Sequence, residues 1–492
     1  MICFSQMNAF CNRLPHKIAP GDLANDKWVV ENYLYGIDFY SSGSEVLVFV
    51  GARFGLEAIV AYYNFKPREI IVIEEDEYKL AIFDSLLNKN PEMKSRVSVF
   101  TDIKSPEIIA KLEGKCASAR VSLDSFDFNE LDYALTHWQL DHVCGEFNEY
   151  DVDAMMVYRL CAKNANSFYW HLYGKHKPLV GNRNQYEYEV SVVVPVYNIS
   201  DYVDQCIESL VKQTLGSLEV LVVDDGTPDD SGDKADIWAE KYPGRVKVIH
   251  KPNGGCASAR NAGLQQAKGQ YIGFVDGDDW VEPHMYEELY RSAILSTSDI
   301  AQSGYQEVYE TGEVIKFPLS VHMTRMDLLR ERPTMWRRIY SSQMLRSKNI
   351  TFPEHIRRFD DLPFQFETFF NAKSISNIPY CYYNYRQGRL GQDISVRDDR
   401  LYVHFPIFDW IYERNSELLN YDEEKKLFEL ELDVHYWAYS VINQELKSEY
   451  LVKTAAQIFK AKKILSTVDM LKIAKSKGRG VFMFFIALWR KK

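Results

Sequence analysis

Three nearly unbroken apolar runs constrain what this chain can fold into: VSVVVPV at 190–196, LEVLVV at 218–223 and YIGFV at 271–275. Strands that bury both faces in a parallel sheet read this way, whereas half-solvated strands alternate. Stretches with helical spacing lie at 200–213, 231–241 and 257–267, and a further short run, VKVIH, at 246–250. Repeated strand–helix–strand order predicts a doubly wound α/β unit, whose ligand-binding loops gather at the strand C-termini. Each long run stops at polar chemistry. Tyr197 and Asn198 follow the first, Asp224 and Asp225 the second, and Asp276, Asp278 and Asp279 the third.

The same alternation occurs upstream. EVLVFV (45–50), IIVIE (70–74) and VSVF (97–100) are separated by helix-like stretches around 55–63 and 77–89, so a small Rossmann-like sheet is expected there. The segment 171–185, HLYGKHKPLVGNRNQ, mixes Gly, Pro, Asn and charge without periodicity and reads as a linker. After about 400, apolar residues recur at helical spacing. The expected organisation is a Rossmann-like domain with linker at 1–185, a second α/β domain at 186–400 and a mostly helical region at 401–492. A chain of 492 residues is too long for one core.

Charge is unevenly placed. From Leu451 to Lys492 there are eleven Lys/Arg and one acid, Asp469, so this tail carries +10 and the remainder −21. An acidic body argues against nucleic acid as a partner. Near the end, the nine-residue apolar run from Val481 to Trp489 lies between basic clusters, too short to span a bilayer as a helix. The basic flanks and Trp fit a segment lying on an anionic leaflet, and they equally fit a last helix docked on the body. The interfacial reading is the one adopted, which places the protein peripherally on the inner face of the cell membrane. Eight Cys are scattered without a C-x-x-C pair, which is neither a zinc framework nor a disulfide scaffold and suits a reducing cytoplasm. The start, MICFSQMNAFCNRLPHK, lacks the pattern of a signal peptide.

On its own, a D-x-D triplet such as Asp276–Asp278 is either an acidic turn capping a helix or a site for a hard cation that takes oxygen ligands. KPNGGCASARNAG (251–263) adds a Gly-Gly turn, helix-capping residues and Arg260, a combination that favours an anion at a helix N-terminus. Singly, each of these features has an ordinary structural explanation. Together on one sheet rim, an aromatic, carboxylates, an Arg and a metal triplet describe a nucleotide-diphosphate site.

The ordered run from VSVVVPVYN through LEVLVVDDG and NGGCASARNAG to YIGFVDGDDW strongly resembles family 2 glycosyltransferases of the GT-A fold, over about residues 188–400. By the resemblance, Pro195 and Tyr197 line the base pocket and Asp225 hydrogen-bonds the uracil edge. Asn253, Arg260 and Asp276 serve the nucleotide portion. Asp276 and Asp278 form the metal pair, with Asp278 the direct ligand of Mn2+ or Mg2+. In PEHIRRFDDLPFQF (353–366) the family usually shows Glu-Asp; here Asp360 departs from that pattern, while Asp361 keeps the acid and is the implied general base. CYYNYRQGRLGQDIS resembles the family's Tyr-x-Tyr-Arg segment, implying Arg386 at the leaving pyrophosphate and a lid in the loop to 395.

The implied reaction is metal-dependent, inverting transfer of a hexose or N-acetylhexosamine from a UDP-sugar to a glycan or lipid-linked glycan, in bacterial-type surface polysaccharide synthesis. A non-catalytic sugar-nucleotide-binding scaffold is a second reading. A third is a bifunctional methyltransferase–glycosyltransferase. EVLVFVGARFGLEA with IIVIEEDEYKL, and HVCGEFNEYD at 142–151, weakly resemble FkbM-like S-adenosylmethionine methyltransferases, with Gly51, Gly55 and Glu74 or Glu75 as the implied cofactor contacts. Phe49 and Arg53 depart from that pattern, so a relic domain is expected.

Overall fold

A computed structural model describes residues 45–491, apart from 52–57, 59–60, 63–66, 89, 123–127, 139, 148–152, 166, 173–178, 183–184, 324, 329–332, 357–358, 389–396 and 460–463. The chain divides into two compact units, Met1–Gln185 and Tyr186–Lys492.

The first unit holds β1 (Val46–Val50), β2 (Glu69–Ile73), β3 (Val97–Phe100), β4 (Ala117–Ser122), β5 (His142–Phe147), β6 (Ser167–Leu172) and β7 (Leu179–Asn182). They lie in the order β3-β2-β1-β4-β5-β6-β7, parallel except for β7. The first six follow the strand order of doubly wound dinucleotide-binding sheets. Helices α1 (Glu77–Asn88), α2 (Pro106–Leu112), α3 (Phe128–His137) and α4 (Ala154–Asn164) provide crossovers. β1 is buried along its whole length, and its Leu47 and Phe49 pack with Ile70, Val72 and Phe83. Gly51 ends β1 at φ 70°, and Glu74 lies buried just after β2, accepting a hydrogen bond from Asp76 N at 3.0 Å. Arg53 and Gly55 lie outside the described residues.

The second unit is built on a nine-stranded sheet. Its parallel half comprises β8 (Tyr188–Val196), β9 (Leu218–Asp224), β10 (Val246–His250) and β11 (Gly269–Phe274) in the order β10-β9-β8-β11. β8 and β9 are almost wholly buried, as continuous apolar runs require. Helices α5 (Val203–Val211), α6 (Ser231–Lys241) and α7 (Cys256–Gln266) connect these strands. Beyond β11 come β12 (Trp280–Val281), α8 (Met285–Ser296), β13 (Ile300–Tyr309), β14 (Val314–Phe317), β15 (Arg338–Ser341), α9 (Ser342–Ser347), α10 (Asp361–Asn371) and β16 (Ile375–Gln387). They extend the sheet as β11-β15-β13-β16-β12, with β14 paired to β13. The chain therefore leaves β11 through the acidic turn and re-enters the sheet as β12, alongside β16.

The helical region comprises α11 (His404–Asn415), α12 (Tyr421–Val441), α13 (Lys447–Ile458), α14 (Thr467–Ser476) and α15 (Arg479–Trp489). It falls within the second unit instead of forming a third, and Arg414 on α11 donates to Glu367 on α10 at 2.6 Å. The expectation that the C-terminal apolar run lies with its apolar face in a leaflet is corrected. Val481, Phe484, Phe485 and Leu488 pack into a bundle core with Phe428, Leu432 and Ile458. Met483 and Trp489 stay exposed beside Arg479, Arg490 and Lys491. Among the described residues no helix is long and apolar enough to cross a membrane.

Gly263 sets how closely α7 approaches β8, because a Cβ at that position would fall inside the Val193 side chain. Gly263→Ala is expected to destabilise the second unit by about 1–3 kcal/mol, the usual cost of overpacking, seen as a lower urea midpoint. An unchanged midpoint would mean that α7 can retreat from β8 freely.

Candidate functional site

The acidic turn after β11 is packed directly on the end of β8. Gly277, its middle residue, has no room for a side chain: a Cβ would meet the Pro195 carbonyl oxygen at 2.8 Å. This close approach puts Pro195 next to Asp276 and Asp278. Tyr197, just past β8, is 50% exposed, and Asn198 adopts φ 54° with its N–H donated to Thr227 Oγ1 at 2.8 Å.

Asp225 directly follows β9 and is buried. Its Oδ1 accepts from Lys251 Nζ at 2.6 Å and Gly254 N at 3.0 Å, and its Oδ2 accepts from Gly255 N at 2.7 Å. The carboxylate thus pins the Gly-Gly turn at the start of α7, where Gly255 sits at φ 89°. An oxygen that accepts one hydrogen bond keeps a second lone pair, so Oδ2 retains capacity for a base N–H. Asn253 is exposed on the same loop. Asp224 points to other partners, accepting from Thr227 N and facing His250 Nδ1, both at 2.8 Å. That contact raises the His250 pKa.

Arg260 is only 5% exposed and has a carboxylate at each terminal nitrogen. Nη2 donates to Asp276 Oδ1 and Nη1 to Asp360 Oδ2, both at 2.7 Å. This guanidinium joins the acidic turn after β11 to the acidic pair at the start of α10. Asp360 is the N-cap residue and Asp361 the first residue of α10. They follow Phe359, which holds φ 54°, a conformation non-glycine residues seldom adopt. The Phe359 ring stacks on His404 of α11 with centroids 5.7 Å apart, and burial pushes the His404 pKa down to about 4. Burial, then the neighbouring Asp360 charge, pushes the Asp361 carboxyl up to about 7 against the opposing pull of Arg260.

The third aspartate of the turn has a different setting. Asp279 is 1% exposed, accepting from Tyr383 Oη at 2.7 Å and from Arg386 N at 2.8 Å. Burial, reinforced by the charges of Asp278 and Asp276, raises its pKa well above the usual carboxylate range. Arg386 donates Nε to the Asp278 carbonyl at 2.8 Å and Nη2 to Gln205 Oε1 at 2.6 Å, between the rings of Tyr202 and Trp280. Asp278 itself is half-buried. Among the described residues no group of three or more His, Cys, Asp or Glu is placed to hold a metal ion. The lid expected in the loop to 395 falls, from 389 onward, outside the described residues.

Sequence reasoning missed Lys251 and Tyr383 as site residues. Lys251 opens the KPNGG turn, a charge near a glycine pair from which only Asn253 was drawn as a site residue. Tyr383 opens the Tyr-x-Tyr-Arg segment, from which only Arg386 was drawn as a site residue.

An Asp whose folded pKa is raised binds its proton more tightly when folded, so ionising it costs stability as pH climbs from about 4 to about 7. Asp361→Asn is therefore expected to raise Tm at pH 8 and to leave it nearly unchanged at pH 4. A lower Tm at both pH values would make Asp361 a structural anchor.

Comparison with known proteins places these residues in a family. Residues 191–356 match the model for glycosyl transferase family 2. The uncharacterized glycosyltransferase EpsJ of Bacillus subtilis (strain 168) is 36% identical over 210 residues, covering 40% of this chain and 61% of that protein. The putative glycosyltransferase EpsH of the same organism is 30% identical over 269 residues, covering 51% of this chain and 75% of its own length. A poly(ribitol-phosphate) beta-glucosyltransferase of Bacillus spizizenii is 32% identical over 215 residues, 42% of this chain and 34% of that one. A rim of strand-end carboxylates, a glycine turn held by Asp225 and an acidic pair heading α10 thus sit in a chain that belongs to glycosyl transferase family 2.

Proposed function

We propose that this chain is a metal-dependent, inverting glycosyltransferase that moves a hexose or N-acetylhexosamine from a UDP-sugar to a glycan or lipid-linked glycan in bacterial-type surface polysaccharide synthesis. The observation that carries the reading is the Arg260 bridge, which holds the Asp276–Asp278 turn and the Asp360–Asp361 pair within the span of one guanidinium. A donor group and an acceptor base must lie that close for direct transfer. The names of the relatives support a carbohydrate polymer as product, one of them being a beta-glucosyltransferase acting on poly(ribitol-phosphate).

Donor binding falls to the β8 and β9 ends. Tyr197 offers an exposed ring for a base, Asp225 keeps an acceptor for its N–H, and Asn253 is open on the glycine loop. Asp278, with Asp276, would hold Mn2+ or Mg2+, since such ions are bound by one or two carboxylates plus substrate phosphates. When bound, the ion neutralises charge on the departing diphosphate. Arg386 lies beside the same turn, where its guanidinium faces the charge left on that group. Asp361 takes the proton of the acceptor hydroxyl while that oxygen attacks the anomeric carbon from the face opposite UDP. A carboxyl pKa near 7 suits that task at neutral pH. One displacement inverts the anomeric centre without a covalent enzyme intermediate.

Asp361→Asn is expected to leave UDP affinity in calorimetry unchanged and to cut transfer by about 10²–10⁴-fold, the usual share of a positioned base. Asp278→Ala is expected to abolish the Mn2+-dependent part of UDP binding. Absence of UDP binding by the folded wild type, with and without Mn2+, would overturn the reading.

An anionic leaflet at the cytoplasmic face is the proposed surface partner, through the exposed Arg479, Arg490 and Lys491 beside Met483 and Trp489. Reversing those three charges to Glu is expected to release the chain from phosphatidylserine vesicles at low salt. Undiminished vesicle binding would remove this surface from the proposal.

A further inference from the structure

Apart from the carboxylates, a cavity of 590 Å³ opens between the end of β12, the β13–β14 hairpin and β16. This volume lies within the range of about 300–1,000 Å³ typical of ligand sites. Tyr380 and Tyr382 line it, with Glu282, His284, Gln306 and Lys316. The strand pairing builds it. β16 runs parallel to β13 with two register slips: Ser303 faces Ile378, Gly304 faces Cys381, and Tyr305 faces Tyr383. Pro379, Tyr380 and Tyr382 are thereby left out of the pairing with β13, and bulges of this kind re-aim side chains. Gly304 is the residue that permits it. A Cβ there would meet the Phe317 carbonyl oxygen at 2.7 Å and Cys381 Sγ at 3.0 Å.

The two tyrosine rings lie 6.0 Å apart at 50°, and Tyr380 is 63% exposed. Beside them, the buried Asn384 donates Nδ2 to Glu282 Oε1 at 3.0 Å and accepts from Gln306 Nε2, which fixes a carboxylate and an amide at the cavity. Aromatic faces next to fixed amide and carboxylate groups form the complement of a pyranose: its C–H face packs on a ring and its hydroxyls meet the polar groups. The slips shorten β16: Cys381, next to Tyr380, and Arg386 lie opposite Gly304 and Val308, four residues of β13 and about 13 Å apart at about 3.3 Å per residue. One sugar cannot bridge that distance; a chain of several can.

We propose that this cavity is a distal acceptor subsite that binds a neutral glycan several units from the one being extended, so that the preferred acceptor is an oligosaccharide or polymer. The proposal rests on the transferase reading above. It is tested by native affinity electrophoresis of the full chain in gels cast with a β-glucan, a dextran, a galactan or a mannan, alongside UDP calorimetry. Wild-type protein is expected to be retarded by at least one polymer. Tyr380→Ala with Tyr382→Ala weakens that retardation about tenfold, as loss of ring contacts worth about 1–2 kcal/mol implies. Tyr380→Phe with Tyr382→Phe, which keeps the rings, retains it, and all variants bind UDP as wild type does. No retardation by any of the four polymers, or equal retardation of the double alanine variant, overturns the subsite. Retardation without UDP binding would instead sink the transferase reading and leave a carbohydrate site.

Discussion

The second unit turns on one buried cation with two carboxylates. A guanidinium as buried as Arg260 is costly to desolvate unless fully paired. Asp276 and Asp360 supply that pairing from segments distant in sequence, one after a parallel strand and the other at a helix start. Removing either partner of such a pair typically costs about 3–5 kcal/mol, because a charge is left buried and alone. The bridge therefore stabilises only the arrangement in which both acidic segments approach α7. Stability and the joint placing of the two acidic segments are requirements on the same three residues.

The other constraints at the rim have the same character. Asp225 is held by two backbone amides and an ammonium, so its position depends on the glycine turn and the turn's shape depends on it. Asp279 is fixed by Tyr383 and by the backbone of Arg386, which ties the acidic turn to β16. The three aspartates of that turn accordingly have separate roles. Asp276 balances Arg260, Asp278 stays half-buried, and Asp279 locks the turn to the neighbouring strand.

Much of this could be read from the chain alone, for physical reasons. Short continuous apolar runs alternating with helical stretches read as strands buried on both faces, and strand C-termini of a parallel sheet share a rim, so Tyr197, Asp225 and Asp276 are expected together from sequence. The partner of Arg260 was not legible, because Asp360 lies 100 residues away and no local pattern links them. The role of the C-terminal run was ambiguous for a similar reason. Val481 to Trp489 has the same periodicity whether its apolar face meets lipid or Phe428 and Ile458, and only the tertiary partner decides. The slips in β16 had no signature, since they arise from how Gly304 lets two chains approach.

The stack of Phe359 on His404 bears on how this protein can be divided. A left-handed backbone at a bulky residue costs of order 1–3 kcal/mol and persists only when its surroundings over-determine it. Part of that support comes from α11, which lies past the point where composition alone would end the transferase. The helical region is thus not an interchangeable cassette appended to a self-sufficient enzyme. Lineages that exchanged it would have had to rebuild the turn ahead of Asp360 and Asp361, so the two stretches are expected to have diverged as one inheritable piece.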